Sequence, residues 1–545
     1  MSIADARSSS TRPSARVPAP RPWRLGALLA LLLGTALALL PYMPLTLYDG
    51  AATGGTAASS QAGSPADGSA MQTITFLSQG TRAVGDPYHD TARDWLSAEL
   101  RGLGLEVQEQ QFPAEGQPVP LVNVVGRLAG TNPAGEAVLI MAHYDSHPGS
   151  PGASDNGSGV SIVLEIARAA AQGPRPANDL IVLFTDGEEQ GILGVPPFLD
   201  AHPWAEQVRV ALNFDGISTG PVFLWQTGPQ NGRLIDLYAG TPRPWALSWV
   251  DGIARVLPLD TDFRPFLQAG YPGGSFTTPY LPLGYHTPGD GLALVNPATI
   301  RHGIEQGTAI TTALLASDLS AAQAPDRVYL SLWGGLLITY PAGFATGLGL
   351  LAGLLALAAL VFSLRGGQAR PRAVGAAALF TAANMLLVFL VQFAFELAFF
   401  LTRPLTPPWV KIPLSLALLL VLLGFAYRRA QRRLSPRELL HGARLVWAAC
   451  AVWSSLANPL FSPPLALALL VSLLPEALAL LRAAVTAQRA GSILALALIM
   501  LLGGPVVYLL YMIAGLMWIP AAIAAVAVAM LVALVQPVVR LVEAG

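Results

Sequence analysis

The sequence predicts two structural classes in one chain: a soluble α/β domain followed by an all-α polytopic membrane domain. Three observations carry this. At 545 residues the chain exceeds one ordinary domain, and 53% hydrophobic against 12% charged is too apolar for a wholly soluble protein. Short apolar strands alternate with helical patterns between residues 71 and 325, which also hold nearly all the acids. Apolar runs of spanning length recur from Leu332 onward. The formal net charge of -1 gives no basic character, so nucleic acid is not an expected partner. The single cysteine, Cys450, excludes an intrachain disulfide and a thiolate-rich zinc site, which leaves His and carboxylate as the ligands of any metal.

In chain order, residues 1–24 form an Arg-, Ser- and Pro-rich tail, and residues 25–45 are expected to be a membrane anchor. A cleaved signal peptide is the alternative, but no small-x-small cleavage site succeeds the apolar run. Either reading exports the α/β domain. Residues 46–70 read as a flexible Gly, Ala and Ser linker. In the α/β domain the strand candidates are LVNVVGRL, AVLIMAHYD, DLIVLFTDGEE, VRVALNFDG and PVFLWQTG, with helices at Asp90–Leu103 and Gly159–Ala171.

Seven spans are predicted within residues 332–540, near 339–362, 374–400, 410–427, 444–461, 464–481, 491–512 and 517–537. Arg365, Arg370 and Arg372 fill one loop, Arg428, Arg429, Arg432, Arg433 and Arg437 another, and Arg482 with Arg489 a third; alternate loops hold only Arg403 and Lys411 or nothing. The basic loops are therefore expected on the cytoplasmic side, with both termini cytoplasmic and the α/β domain extracytoplasmic.

The chemistry gathers where strands end. His143 and Asp145 close AVLIMAHYD, and side chains two apart on a strand share a face, so Asp145 is placed to orient the His143 imidazole. Asp155 follows a Pro- and Gly-rich loop just before a helix start, as an N-cap or a carboxylate bridging two cations. Glu188 and Glu189 lie just past a second strand; one acid holding metal while its neighbour accepts a proton from water explains the pairing. Asp215 ends a third strand, and His286 with Tyr285 stands in GYHTPGD. His, Asp, Glu, Asp and His are the borderline ligand set of zinc, and five such ligands suit two ions sharing one carboxylate. His147, His89, His202 and His302 read as surface residues, Asp186 and Asp290 receive no role, and TDFRPF, with Asp262 and Arg264, is either a pocket lining or structural.

In order, HYDS, GASDNGSG, TDGEEQG, NFDG and YHTPGD resemble the M28 family of zinc-dependent exopeptidases. GTRAVGDPYHDTARDWLSAEL and DTDFRPFLQAGYPGGSF extend the likeness to its membrane-bound branch of endoplasmic-reticulum metallopeptidases and vacuolar membrane proteases. The resemblance implies a mixed-sheet, phosphorylase/hydrolase-like domain with helices on both faces over residues 71–325. It implies two zinc ions, one on His143, Asp155 and Asp215 and the other on Glu189, Asp155 and His286, with Co2+ or Mn2+ chemically admissible. It also implies Glu188 as general base, Asp145 as the partner of His143, and Tyr285 as an oxyanion donor. The expected activity is aminopeptidase, with carboxypeptidase or glutaminyl cyclase as enzyme alternatives. A transporter or receptor with a ligand-binding outer domain is the alternative of another class, although Asn384, Gln392, Glu396 and Glu476 are few polar residues for a transport path. Peptide and lipid bilayer are the expected partners; the sequence specifies no oligomeric state.

Overall fold

The computed structural model describes residues 22–39, 65–255, 260–279, 284–332, 335–402, 408–481, 485–514 and 518–544. Most of the predicted tail and linker, and Arg403 and Arg482, lie outside the described residues. The helix Pro65–Leu77, however, already begins inside the stretch read as linker, because Ala70, Ile74 and Leu77 recur at helical spacing and are fully buried.

A seven-stranded mixed sheet forms the α/β domain: β1 (Glu106–Phe112), β2 (Leu121–Leu128), β3 (Ala137–His143), β4 (Asp179–Thr185), β5 (Val208–Phe214), β6 (Phe223–Thr227) and β7 (Gly273–Thr277). The order across the sheet is β1-β2-β4-β3-β5-β7-β6. The pairs β4-β3, β3-β5 and β5-β7 are parallel, and antiparallel strands border this parallel centre. All five predicted strands are present. Their alternation is visible in the packing: Val138, Ile140 and Ala142 enter one apolar cluster with the helices Pro65–Leu77, Ser158–Gln172 and Pro297–Leu315. Ala137, Leu139 and Met141 face the other way, onto Val195, Phe198, Phe263 and Phe266 of two short helices. The sheet is thus covered on both faces.

A hairpin of β8 (Arg327–Leu332) and β9 (Leu336–Pro341) leads straight into the helix Ala342–Arg365, so the boundary drawn at 325–332 falls within this hairpin. Among the described residues, seven helical segments are long and apolar enough to cross a membrane: Ala342–Arg365, Pro371–Phe399, Pro413–Ala430, Pro436–Ala457, Pro463–Leu480, Val485–Val507 and Ala521–Val542. The span expected at 444–461 starts earlier because Ser435 and Glu438 form a reciprocal cap around Pro436. The span expected at 464–481 is two helices, Pro463–Ser472 and Leu474–Leu480, since Pro475 cannot donate to the preceding turn. The N-terminal helix Pro22–Leu39 lies along Val485–Ala514, where a Cβ on Gly26 or Gly34 would press on Ile493 or Ala497.

The two domains share a core. Phe223 and Trp225 of edge strand β6, with Leu247, Trp249 and Val250 of the segment reaching the helix Ser248–Ala254, are buried with Val388, Leu419, Leu510 and Val528 of the membrane helices. Ser248 Oγ also donates to the Leu460 carbonyl at 2.9 Å. Residues 65–341 made alone would expose this aromatic face and are expected to self-associate, a tendency that Trp225→Ser with Trp249→Ser should reduce. Sedimentation velocity decides it: a monomeric unmodified fragment would count against the shared core.

Candidate metal centre

The site stands at the C-terminal edge of the parallel strands, where adjacent chains diverge and leave room for a ligand. His143 is the last residue of β3, Asp215 follows β5, and Glu188 and Glu189 lie in the turn after β4. Asp155 comes from a tight turn before the helix Ser158–Gln172, and its peptide bond to Asn156 is cis. That helix starts very close to β5, because a Cβ on Gly159 would collide with the Phe214 carbonyl and Asn156 Oδ1. Gly152, at φ 62, turns the chain into this segment. His286 also holds a positive φ, 57, which a non-glycine residue keeps only when its surroundings fix it.

These five side chains converge in two groups that share Asp155. His143 Nε2 lies 3.2 Å from Asp155 Oδ1 and 3.3 Å from Asp215 Oδ1. His286 Nε2 lies 3.1 Å from Asp155 Oδ2 and 3.1 Å from Glu189 Oε2. Within each group the ligand atoms lie within 4.8 Å of one another, so each can hold one cation. The donor set is imidazole and carboxylate with no sulfur, and Glu189 Oε1 is buried without a hydrogen-bond partner among the described residues. These residues fit a pair of zinc-like ions.

Asp145 lies beyond the strand end, so the expected same-face pairing is only part of its contacts. His143 Nδ1 is 3.2 Å from the Asp145 carbonyl oxygen and 3.4 Å from its carboxylate. The carboxylate itself accepts the backbone N–H of Glu188 and of Glu189, both at 3.1 Å. Asp145 therefore fixes the β4 turn as well as the imidazole. Tyr285 stacks on His286 with ring centroids 3.8 Å apart, and His147 stacks on it at 4.5 Å. His147 is half-buried rather than free in solvent.

The site is crowded with negative charge. Burial raises the Glu188 carboxyl well above the usual range, and Asp215, Asp262 and Asp155 add to this against the pull of His143. Burial and Asp155 likewise push Glu189 up to about 7, although His286 opposes them. Burial alone would lower both imidazoles. Asp215, Asp145 and Asp155 instead raise His143 well above its ordinary value, and Asp155 with Glu189 brings His286 up to about 9. Burial and the nearby carboxylates raise the Tyr285 phenol. Such a field favours bound cations.

Four residues to which the sequence assigns no definite role hold this arrangement. Arg82, fully buried, donates to the carbonyls of Tyr144 (2.7 Å), Leu77 (2.6 Å), Pro151 (2.7 Å) and Gly152 (2.9 Å). Asp290 accepts Ser154 N–H and Asp155 N–H, both at 3.1 Å, and so sets the backbone of Asp155. Asp186 accepts from His89 Nε2, Val122 N–H and the Tyr144 hydroxyl. Asp262 accepts from Thr185 and keeps its other oxygen buried without a partner among the described residues, while burial and the carboxylates of Asp215 and Asp145 push it up to about 7 despite His143. His89, His202 and His302 are buried, not surface residues. Each serves backbone or carboxylate: His89 meets Asp186, His202 accepts from Trp204 N–H, and His302 from Val222 N–H. Of the TDFRPF segment, Arg264 is exposed and, among the described residues, pairs with Asp260 outside the site.

A mixed sheet with acids and imidazoles converging beyond its central strands defines a metal-binding α/β domain. Residues 123–309 match the family model described as Peptidase family M28. The endoplasmic reticulum metallopeptidase 1 of Rattus norvegicus is 30% identical over 231 residues, 41% of this chain and 26% of that protein. The putative endoplasmic reticulum metallopeptidase 1 of Schizosaccharomyces pombe is 32% identical over 232 residues, 40% of this chain and 28% of the relative. The vacuolar membrane protease of Meyerozyma guilliermondii is 29% identical over 248 residues, 44% and 25% of the two. The matched region thus spans about a quarter of these relatives. Among solved structures, the zinc aminopeptidase BSAP of Bacillus subtilis matches 47% of this chain and 96% of its own, at 17% identity and TM-score 0.37. Porphyromonas gingivalis glutaminyl cyclase matches 45% and 97%, at 22% identity and TM-score 0.38.

Proposed function

We propose that the chain is a membrane-embedded, di-zinc exopeptidase that releases N-terminal residues from peptides on the extracytoplasmic side. The observation that carries this reading is the pair of three-residue groups sharing Asp155, with Glu188 adjacent to one of their members. His143, Asp155 and Asp215 would hold one ion, and Glu189, Asp155 and His286 the other. Bound there, zinc supplies Lewis-acid polarisation and a lowered pKa for water.

The protein's own part follows from its side chains. Glu188 belongs to neither group, and takes the proton from the attacking water and returns it to the leaving amine. Asp145 holds Glu188 and Glu189 by their backbone N–H groups, so base and ligand keep one register. The Tyr285 hydroxyl is assigned to the oxygen that becomes negative as the carbonyl is attacked. Orientation follows from the arginines: those described after residue 362 and around 430 lie in the loops that follow the first and third spans, which supports both termini inside.

Metal content tests the ligand set. The purified full-length protein is expected to carry two zinc equivalents and His143→Ala about one or none, by elemental analysis. Release of aniline from an aminoacyl anilide should be abolished by chelator and restored by zinc. An intact metal complement in His143→Ala, or cyclisation of an N-terminal glutaminyl peptide without anilide hydrolysis, would overturn the respective parts.

A further inference from the structure

The far end of the helical bundle has a built cavity unconnected with catalysis. The helix Ala342–Arg365 starts directly after β9, so at 1.5 Å per residue its other end lies roughly 36 Å from the peptidase domain. Two loops meet there. The first carries Arg365, Arg370 and Arg372, the second Arg428, Arg429, Arg432, Arg433 and Arg437, against one acid, Glu438. Glu438 ties the loops together: it accepts from Arg370 Nε at 2.8 Å and from Ser435 N–H at 2.8 Å. Arg370 Nη2 also donates to the Arg433 carbonyl at 3.3 Å.

Between the loops lies an open cavity of about 620 Å³, lined by Arg370, Pro371, Arg372, Ala373, Arg433 and Leu434. That volume is in the range of small-ligand sites. Arg370 is committed to Glu438, whereas Arg372 and Arg433 are exposed and have no carboxylate partner among the described residues. Orientation in the membrane requires basic loops, but it requires neither a cavity between them nor a carboxylate that fixes the two together. The wall is amphipathic: two unpaired guanidinium groups beside Pro371, Ala373 and Leu434. On the same helices, Leu379 is 72% exposed and Phe425 70%. Leu379 lies seven helical residues past Arg372, and Phe425 five before Ala430, where its helix ends ahead of Arg433, so roughly 8–11 Å further along the bundle. An apolar exposed belt at that depth places the cavity at the headgroup level of a bilayer.

We propose that this cavity binds the phosphate-bearing headgroup of an anionic membrane phospholipid. Arg372 and Arg433 contact the phosphate oxygens, for which the planar guanidinium is suited, and the apolar residues face the glycerol backbone. Arg370, held by Glu438, frames the opening.

The test uses the full chain in neutral detergent, with thermal unfolding followed against dioctanoyl phosphatidylglycerol, dioctanoyl phosphatidylcholine and inorganic phosphate. Phosphatidylglycerol is expected to raise the unfolding midpoint in a saturable manner, and phosphatidylcholine to leave it unmoved. The rise should be largely lost in Arg372→Gln/Arg433→Gln and kept in Arg428→Gln/Arg429→Gln, which removes the same charge outside the cavity. All four side chains are exposed, so neither variant should impair folding. An equal rise with phosphatidylcholine, or an equal loss in both variants, overturns the proposal. Stabilisation by phosphate as strong as by the lipid assigns the cavity to a free anion and overturns the lipid assignment.

Discussion

Glu188→Gln is expected to lower kcat about 10³-fold while leaving KM and the zinc content unchanged. The amide keeps the shape and hydrogen-bonding length of the side chain and removes only its ability to hold a proton. Glu188 stands outside both ligand groups, so its loss should cost no metal. Its backbone N–H would still donate to Asp145. Glu189→Gln is the informative contrast. That side chain shares His286 with Asp155, so its replacement should lower the affinity for one ion and reduce activity through the metal. Anilide kinetics and elemental analysis on the same samples separate the two effects. A normal kcat in Glu188→Gln would remove the base, and a missing zinc in that variant would make Glu188 a ligand.

What is legible in the sequence is what has a local period or sits beside one. Strands β2 to β6 announce themselves as apolar runs, and His143, Glu188, Glu189 and Asp215 follow such runs closely enough to be placed at one sheet edge. Their meeting with Asp155 and His286 is what the family resemblance implies, and the structure brings His143, Asp155, Glu189, Asp215 and His286 together. Strand β1, EVQEQQF, is a half-exposed edge and has no apolar run to find. Strand β7, GGSFT, is short and begins with two glycines; a Cβ on Gly273 would strike the Ala211 carbonyl, so close tertiary pairing defines it, not propensity. The supporting polar groups are illegible for a related reason. Asp290 reaches Ser154 across 136 residues and Asp186 reaches His89 across 97, and a buried network of that kind leaves no periodic trace. His89, His202 and His302 read as surface residues because nothing adjacent in sequence shows what they meet.

Arg82 is the strongest case of such a hidden support, and Arg82→Met should cost about 3–5 kcal/mol of stability. The apolar replacement fills similar length but leaves the carbonyls of Leu77, Tyr144, Pro151 and Gly152 without their donor, in a place from which water is excluded. Burial pushes the guanidinium down to about 10, while Asp145, Asp290 and Asp155 counteract this, so it stays charged at neutral pH and offsets part of the acidity around the candidate ligand groups. Two consequences therefore separate from simple destabilisation. Arg82 clamps the loop between His143 and Asp155, so the variant should release zinc to a chelator faster at temperatures where it is still folded. Arg82→Lys should recover little, since one ammonium cannot reach four carbonyls set around a planar fork. Phe198→Ala supplies the control: it empties a fully buried site on the opposite face of the sheet, at a comparable cost of about 3–5 kcal/mol, without touching the loop. If Arg82→Met and Phe198→Ala lose zinc at the same rate, Arg82 supports the fold alone; if only Arg82→Met loses it faster, the residue sets the spacing of the two metal sites.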